Sequence, residues 1–242
     1  MSNLINKKGL RVDGRKLDEM RPVTISVGNV KNADGSSYIE FGKNKIIAAV
    51  YGPKEPVFKW MAVANTGILR CRYHMVPYSV EERKNPNPSR REQEISKVIR
   101  EALTPAIVLT DYPRTCIDIF IEVLQSDGGS RCAAINAASV ALADAGISMF
   151  DMVGACAAGK IDGKIGLDMS DEEDKDGEAD LPIAFMPNLD KITLLQLDGK
   201  LSKDEFAEAV NMGVSGSKTL YELQKKALMS KYFEKPTGGK KL

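Results

Sequence analysis

An apolar strand that runs through two glycines into an alanine-rich helix is the feature that most limits how this chain can fold. Thr115–Leu124 is rich in Ile, Val and Phe and reads as a buried strand. Gly128-Gly129-Ser130-Arg131 then turns the chain, and Cys132–Ala145 reads as a helix closed by Gly146. That helix carries alanine nearly all round and has no charged face, so it should be largely buried.

The flanking segments supply the elements around it. Arg21–Val27, Ser37–Phe41, Lys45–Tyr51 and Ile68–Val76 alternate as strands and are expected to form an antiparallel run, the third stopped by Gly52-Pro53. Ser89-Arg90-Arg91-Glu92 fits a capping box, and the stripe Ile95, Val98, Ile99, Ala102, Leu103 predicts an amphipathic helix that Pro105 ends or kinks. Four more strands follow, at Met152–Lys160, Lys164–Met169, Ala179–Met186 and Ile192–Leu197, with Asp162–Gly163 and Asp198–Gly199 as hairpin turns. A last helix opens at Ser202 and runs to about Tyr232. The order predicts an α+β fold. Residues 1–8 and 235–242 are expected to be flexible, leaving 9–234 as one domain.

Composition narrows the function. Lys and Arg total 34 against 33 Asp and Glu, so any nucleic-acid contact must come from a local concentration of charge. Cys71, Cys116, Cys132 and Cys156 form no C-x-x-C pair, which argues against zinc and for buried structural thiols. The lone His74 reads as a packed strand residue. No apolar run is long enough to span a membrane, and residues 1–10 lack the apolar core of a signal peptide, so a reducing cytoplasmic setting is expected.

Three constellations can carry chemistry. The Gly128–Arg131 turn combines glycines, the unsatisfied N–H groups of a helix start, a hydroxyl and a guanidinium, which suits phosphate; the alternative is an ordinary turn capped by Ser130. Arg90 and Arg91 occupy a helix N-terminus, where cations are disfavoured unless an anion is near; the alternative is solvated arginines paired with Glu92 and Glu94. The acidic run from Asp168 to Asp180 reads mostly as a solvated loop, but Asp180 opens a strand and is held in place. Asp174, across a turn containing Gly177, and Asp180 are candidates for a general acid or for ligands of a divalent metal. The long connection Lys54–Gly67 carries Phe58, Lys59 and Trp60, either folded onto the core or kept out as a contact surface.

These segments together resemble the RNase PH family, and within it the active subunits of archaeal exosomes. The residues that carry the resemblance are Arg11-Val12-Asp13-Gly14-Arg15, Lys31–Ser36, Ala48–Pro53, Arg70–Met75, Ser89–Glu92, Asp127–Arg131 and Gly177–Asp180, spread over roughly residues 8–234. The resemblance implies duplicated β-α units similar to the second domain of ribosomal protein S5. It implies a hexameric ring of three heterodimers with a homologous inactive subunit, RNA-binding cap proteins, and single-stranded RNA threaded through a channel. It further implies processive 3′-to-5′ phosphorolysis, with inorganic phosphate as co-substrate and nucleoside diphosphate as product. By the same resemblance Gly129, Ser130 and Arg131 match the phosphate-binding turn, Arg90 and Arg91 the pair that grips the RNA end, Asp174 and Asp180 the active-site aspartates with a possible Mg²⁺, and Lys59 the loop that narrows the channel. A non-catalytic RNA-binding ring subunit and a homohexameric tRNA-trimming enzyme are the alternatives; keeping both aspartates favours the active subunit.

Overall fold

The computed structural model describes residues 4–6 and 9–233. Two five-stranded sheets enclose the alanine-rich helix. The first contains β1 (Val23–Val27), β2 (Gly35–Phe41), β3 (Asn44–Lys54), β4 (Ile68–Met75) and β5 (Cys116–Gln125), in the order β1-β2-β3-β5-β4. The second contains β6 (Gly154–Ile161), β7 (Lys164–Leu167), β8 (Ala179–Met186), β9 (Lys191–Leu195) and β10 (Asp198–Gly199). Its order is β10-β8-β6-β7, with β9 also paired to β8. The helices are α1 (Arg90–Leu103), α2 (Ser130–Asp144), the short α3 (Asp171–Asp176) and α4 (Lys203–Phe233).

Helix α2 is buried on nearly every side because it packs against β2 and β3 of one sheet and β6 of the other. Strand β3 alternates buried and half-buried residues, turning Ile46, Ala48 and Val50 toward α2. Strand β6 is covered by α2 and α4 together, which is why Gly154-Ala155-Cys156-Ala157-Ala158-Gly159 is small throughout. Fit at these contacts is tight: a Cβ on Gly35 would lie 2.2 Å from the Ala145 amide nitrogen. Asn136 of α2 ties the layers together, donating to the Ala155 carbonyl at 2.7 Å and accepting from Gln224 of α4 at 2.6 Å.

Several expectations change in three dimensions. Strands β4 and β5 are parallel, because α1 carries the chain back across the sheet between them. Strand β3 continues past Gly52-Pro53; pairing lapses where proline offers no N–H and resumes at Lys54 against Cys116. Asp198–Gly199 is not a hairpin turn but a short strand against Asp180 and Ala179. The flanks also differ. Leu4 is buried beside Ile161 and Met169, and Ile5 bridges to Arg11, so residues 4–6 depart from the loose N-terminus expected. The expected tail, 235–242, lies outside the described residues, as do residues 1–3 and 7–8.

The largest departure is the acidic run. Ser170 caps α3 in a capping box, and two of the run's carboxylates are buried against arginines from the start of the chain. Glu173 accepts from Arg11 Nε at 2.7 Å and from Arg11 Nη2. Asp168 accepts a two-pronged fork from Arg21, at 2.9 Å from Nε and 2.7 Å from Nη2, and a bond from Arg15 Nη1 at 3.2 Å. Burial alone would raise the Glu173 carboxyl, but hydrogen bonds from Arg11 and Ser170 outweigh it and hold the group below its ordinary range.

Removing one partner of such a pair leaves a bare buried charge. Arg11→Ala should therefore lower stability by about 3–5 kcal/mol near neutral pH. The Glu173 contribution is present above its ordinary pKa of 4.5 and is lost as pH falls through the depressed folded value. Urea unfolding at pH 7 and pH 4 should show the gap between wild type and variant narrowing in acid.

Candidate anion-binding cleft

The turn after β5 is shaped from both sides. Gly128 and Gly129 both have left-handed backbones, with φ of 66° and 64°, a conformation that favours glycine. A Cβ on Gly128 would meet the Ser170 carbonyl carbon at 2.5 Å and the Asp171 nitrogen at 2.6 Å. Only glycine lets the turn lie against the start of α3, and that contact brings Asp174 to the turn. Asn44 clamps the other side, donating to the Gly128 carbonyl at 2.6 Å and accepting from the Asp127 N–H at 2.8 Å.

The result is a cleft of about 410 Å³ whose lining includes Gly129, Ser130, Arg131, Arg91, Asp174 and Asp180. Six residues from three constellations of the sequence thus meet in one cavity. The first-turn N–H groups of α2 have no acceptor within their own helix, and Gly129 rather than Ser130 is its N-cap. Arg131 is anchored by Nη1 to Gln196 Oε1 at 2.6 Å, while its buried Nε has no protein partner among the described residues. Arg91 is set by the residue beside it: Glu92 closes the capping box with Ser89 and accepts from the β4 amide of Met75 at 2.8 Å. Glu92 is therefore not a partner for the arginines, and among the described residues no carboxylate pairs with Arg90 or Arg91.

Not every candidate residue reaches the cleft. Arg90 is exposed and does not line it, because adjacent residues on an α-helix point about 100° apart. Lys59 lies in a short helical turn, Lys59–Met61, beside a different cavity lined by Glu55, Pro56, Ala62 and Arg114. Its loop is not folded onto the core: Trp60 is 81% exposed and stacks on Phe58 at 5.9 Å. His74 sits on β4 with Nδ1 2.5 Å from Glu122, away from the cleft, and the four cysteines are free.

The sequence reading missed Tyr73, whose hydroxyl lies 2.9 Å from Ser130 Oγ. The signal was there: Tyr73 falls on the inward side of an alternating strand, and a buried phenol needs a polar partner. Lys84 and Lys175 also line the cleft and carried no motif to mark them.

Charge is unevenly compensated here. Burial, then the neighbouring Asp174, push the Asp180 carboxyl up to about 7, against the opposing pull of Arg131; its Oδ1 has no hydrogen-bond partner among the described residues. Burial also raises Asp174, with Arg91 opposing. Two raised carboxyls facing unsatisfied N–H groups and two guanidiniums can hold an oxyanion and move a proton beside it.

A model of the 3′ exoribonuclease family, RNase PH, matches its first domain to residues 19–148 and its second to residues 151–216. The chain belongs to the RNase PH family. Curated relatives carry the name exosome complex component Rrp41: that of Nitrosopumilus maritimus is 62% identical over 95% of this chain and 94% of its own length. The one from Thermococcus kodakarensis is 59% identical over 96% of this chain and 93% of its own. Among solved structures, rice (Oryza sativa) Rrp46 superposes with a TM-score of 0.80 at 24% identity, over 90% of this chain and all of that one. A chain of the Archaeoglobus fulgidus exosome with RNA bound to the active site gives a TM-score of 0.77 at 22% identity, over 89% of this chain and 93% of that one. At those identities the structures establish the RNase PH fold.

Because the Asp180 pKa is raised in the folded protein, folding favours its neutral form. That contribution is complete below the ordinary value of 3.8 and is lost as pH rises through about 7. Asp180→Asn should therefore raise the melting temperature at pH 8, and the gain should fade as pH approaches 4. Thermal unfolding across that range checks it.

Proposed function

We propose that this chain is the catalytic subunit of an exosome ring that degrades single-stranded RNA processively from its 3′ end by phosphorolysis. One observation carries the reading: the glycine turn, Arg91 and both aspartates line a single cleft. The curated relatives are named as exosome components, and the chain covers nearly all of their length.

In this reading the Gly129–Arg131 turn holds inorganic phosphate through backbone N–H groups, the Ser130 hydroxyl and the Arg131 guanidinium. Arg91 faces the RNA 3′ end inside the cleft, and Arg90 continues the basic track outside it. An oxygen of the held phosphate attacks the last internucleotide phosphorus, the bond to O3′ breaks, and a nucleoside diphosphate leaves. The departing O3′ takes a proton from the Asp174–Asp180 pair, which keeps one near neutral pH because burial, and then the neighbouring carboxyl, disfavour the charged form. Run backward, the same steps lengthen RNA. Catalysis here is positioning and charge stabilisation more than covalent chemistry.

The same pair suits Mg²⁺. The orphaned Asp180 Oδ1 and the adjacent Asp174 supply hard oxygen ligands, and Mg²⁺ is commonly held by one or two carboxylates with phosphate oxygens completing the shell. Among the described residues no cluster of three protein ligands exists, so an ion there would depend on substrate. Bound, it would neutralise charge on the reacting phosphates.

The partners that follow are a homologous inactive RNase PH-like subunit, alternating with this one in three heterodimers, and RNA-binding cap proteins. Lys59 with Phe58 and Trp60 would meet RNA in the channel, away from the cleft. Residues 9–234 are read as one folding unit, supported by α2 and α4 each packing on both sheets. A cytoplasmic setting is supported by four free cysteines; among the described residues no helix is long and apolar enough to cross a membrane.

Asp174→Ala, assembled with the ring partner, should cut nucleoside diphosphate release by about 10²-fold or more while RNA stays bound. Labelled RNA with chromatography of products, and a filter-binding assay, measure the two. Turnover that survives the substitution, or a monophosphate product, contradicts the reading. RNA affinity should fall steeply with salt, since the contacts are chiefly to the backbone.

A further inference from the structure

Arg21 lies behind the cleft rather than in it. It is 6% exposed, and its guanidinium is spent entirely on protein. The fork on Asp168 uses Nε and one Nη2 hydrogen. The second Nη2 hydrogen is shared between the Met169 carbonyl at 3.1 Å and the Gly128 carbonyl at 3.3 Å, and the two Nη1 hydrogens reach the Asp127 carbonyl and, at 3.4 Å, the Asp127 carboxylate. With five donors so engaged, Arg21 has none to offer a ligand. Phe41 covers it from the side, 5.4 Å from ring centroid to the guanidinium carbon.

Those carbonyls belong to two separate segments. Met169 leads into α3, which carries Asp174; Asp127 and Gly128 form the turn. One rigid planar group therefore spans the two halves of the anion cleft. Asp168 completes the brace in a left-handed backbone of φ 55°, uncommon for a non-glycine residue and held here by bonds from Arg15 and Arg21.

A trans peptide points its C=O and N–H in opposite directions. Pulling the Asp127 and Gly128 carbonyls toward Arg21 therefore turns the N–H groups of Gly128 and Gly129 the other way. Among the described residues those two N–H groups have no protein acceptor, and both glycines line the cleft. A run of convergent N–H groups at such a turn is a nest for an anion.

We propose that Arg21 is a positioning residue for phosphate: by holding the Asp127 and Gly128 carbonyls it aims the turn's N–H groups at the anion and fixes their distance to α3. The inference rests on the phosphorolysis reading of the cleft and assigns that reading a residue beyond the cleft. Lysine cannot replace the group, since an ammonium lacks the planar fork that reaches a carboxylate and three carbonyls together.

The test compares Arg21→Lys with Arg11→Lys, both assembled with the ring partner. Arg11 is also buried and braces α3 through Glu173 and the Leu167 and Asp168 carbonyls, but bonds to nothing in the turn. Two quantities are read: the Kd for inorganic phosphate by calorimetry, and the KM values for phosphate and for RNA. Arg21→Lys should weaken phosphate by about tenfold or more, as a displaced donor set does, and leave the RNA KM within about twofold. Arg11→Lys should lose stability with phosphate affinity kept. If Arg21→Lys binds phosphate like wild type, or both variants weaken it equally, the positioning role is wrong. Should Arg21→Lys fail to fold, Asp168→Asn keeps the volume while weakening one side of the brace, and carries the same prediction. A wild type that consumes RNA without phosphate would sink the phosphorolysis reading separately, because the calorimetric comparison does not depend on turnover. A wild type that binds no phosphate overturns both.

Discussion

A buried knot of three arginines and two carboxylates governs how the rest of this structure meets. Arg11, Arg15 and Arg21 arrive from the chain before β1; Asp168 and Glu173 arrive from the segment that follows β7 and forms α3. Each charge is tolerable inside the protein only because the others are there. Such a cluster adds little net stability over well-packed apolar residues. The ordinary core does that work: each fully buried Ile or Val, such as Ile117, Ile119, Ile121 and Val123, contributes roughly 1.5–3 kcal/mol over exposure. The knot's effect is geometric. It forces the chain before β1, the turn after β5 and the start of α3 into one register.

The cleft follows from that register. Carbonyls of the turn face Arg21, so its amides face outward; Gly128 leaves no side chain between the turn and Ser170, so α3 closes over it. The same closeness buries Asp180 beside Asp174 and raises its pKa. Outward-facing amides and a carboxyl with a raised pKa thus arise from one packing arrangement. Tyr73 extends it to the first sheet by fixing the Ser130 hydroxyl, and Glu92 extends it to α1 by tying Arg91's turn to β4.

Much of this was legible in the sequence. The capping box at Ser89, the amphipathic stripe of α1, the buried α2 and most strands follow from local period and local chemistry, which neighbours in sequence largely settle. The glycine turn, the aspartates and Arg91 were also visible as residue types suited to phosphate. What local pattern could not supply was direction and company. The parallel pairing of β4 with β5, the strand role of Asp198–Gly199 and the outward Trp60 depend on segments far along the chain. The acidic run looked solvated because its arginine partners lie some 150 residues away in sequence, where no charge pattern connects them.

The sequence by itself determined the elements, the burial of α2 and the kinds of groups available for an anion. Those depend on intrinsic backbone preference and on hydrophobic period, which act over a few residues. The tertiary structure alone decided that Arg91 rather than Arg90 enters the cleft, that Asp168 and Glu173 are buried against arginines while Asp174 and Asp180 line the cleft, and that Lys59 lies beside a different cavity. Such distinctions turn on which way a side chain points once sheets and helices are packed, and on desolvation, which exists only after the layers close.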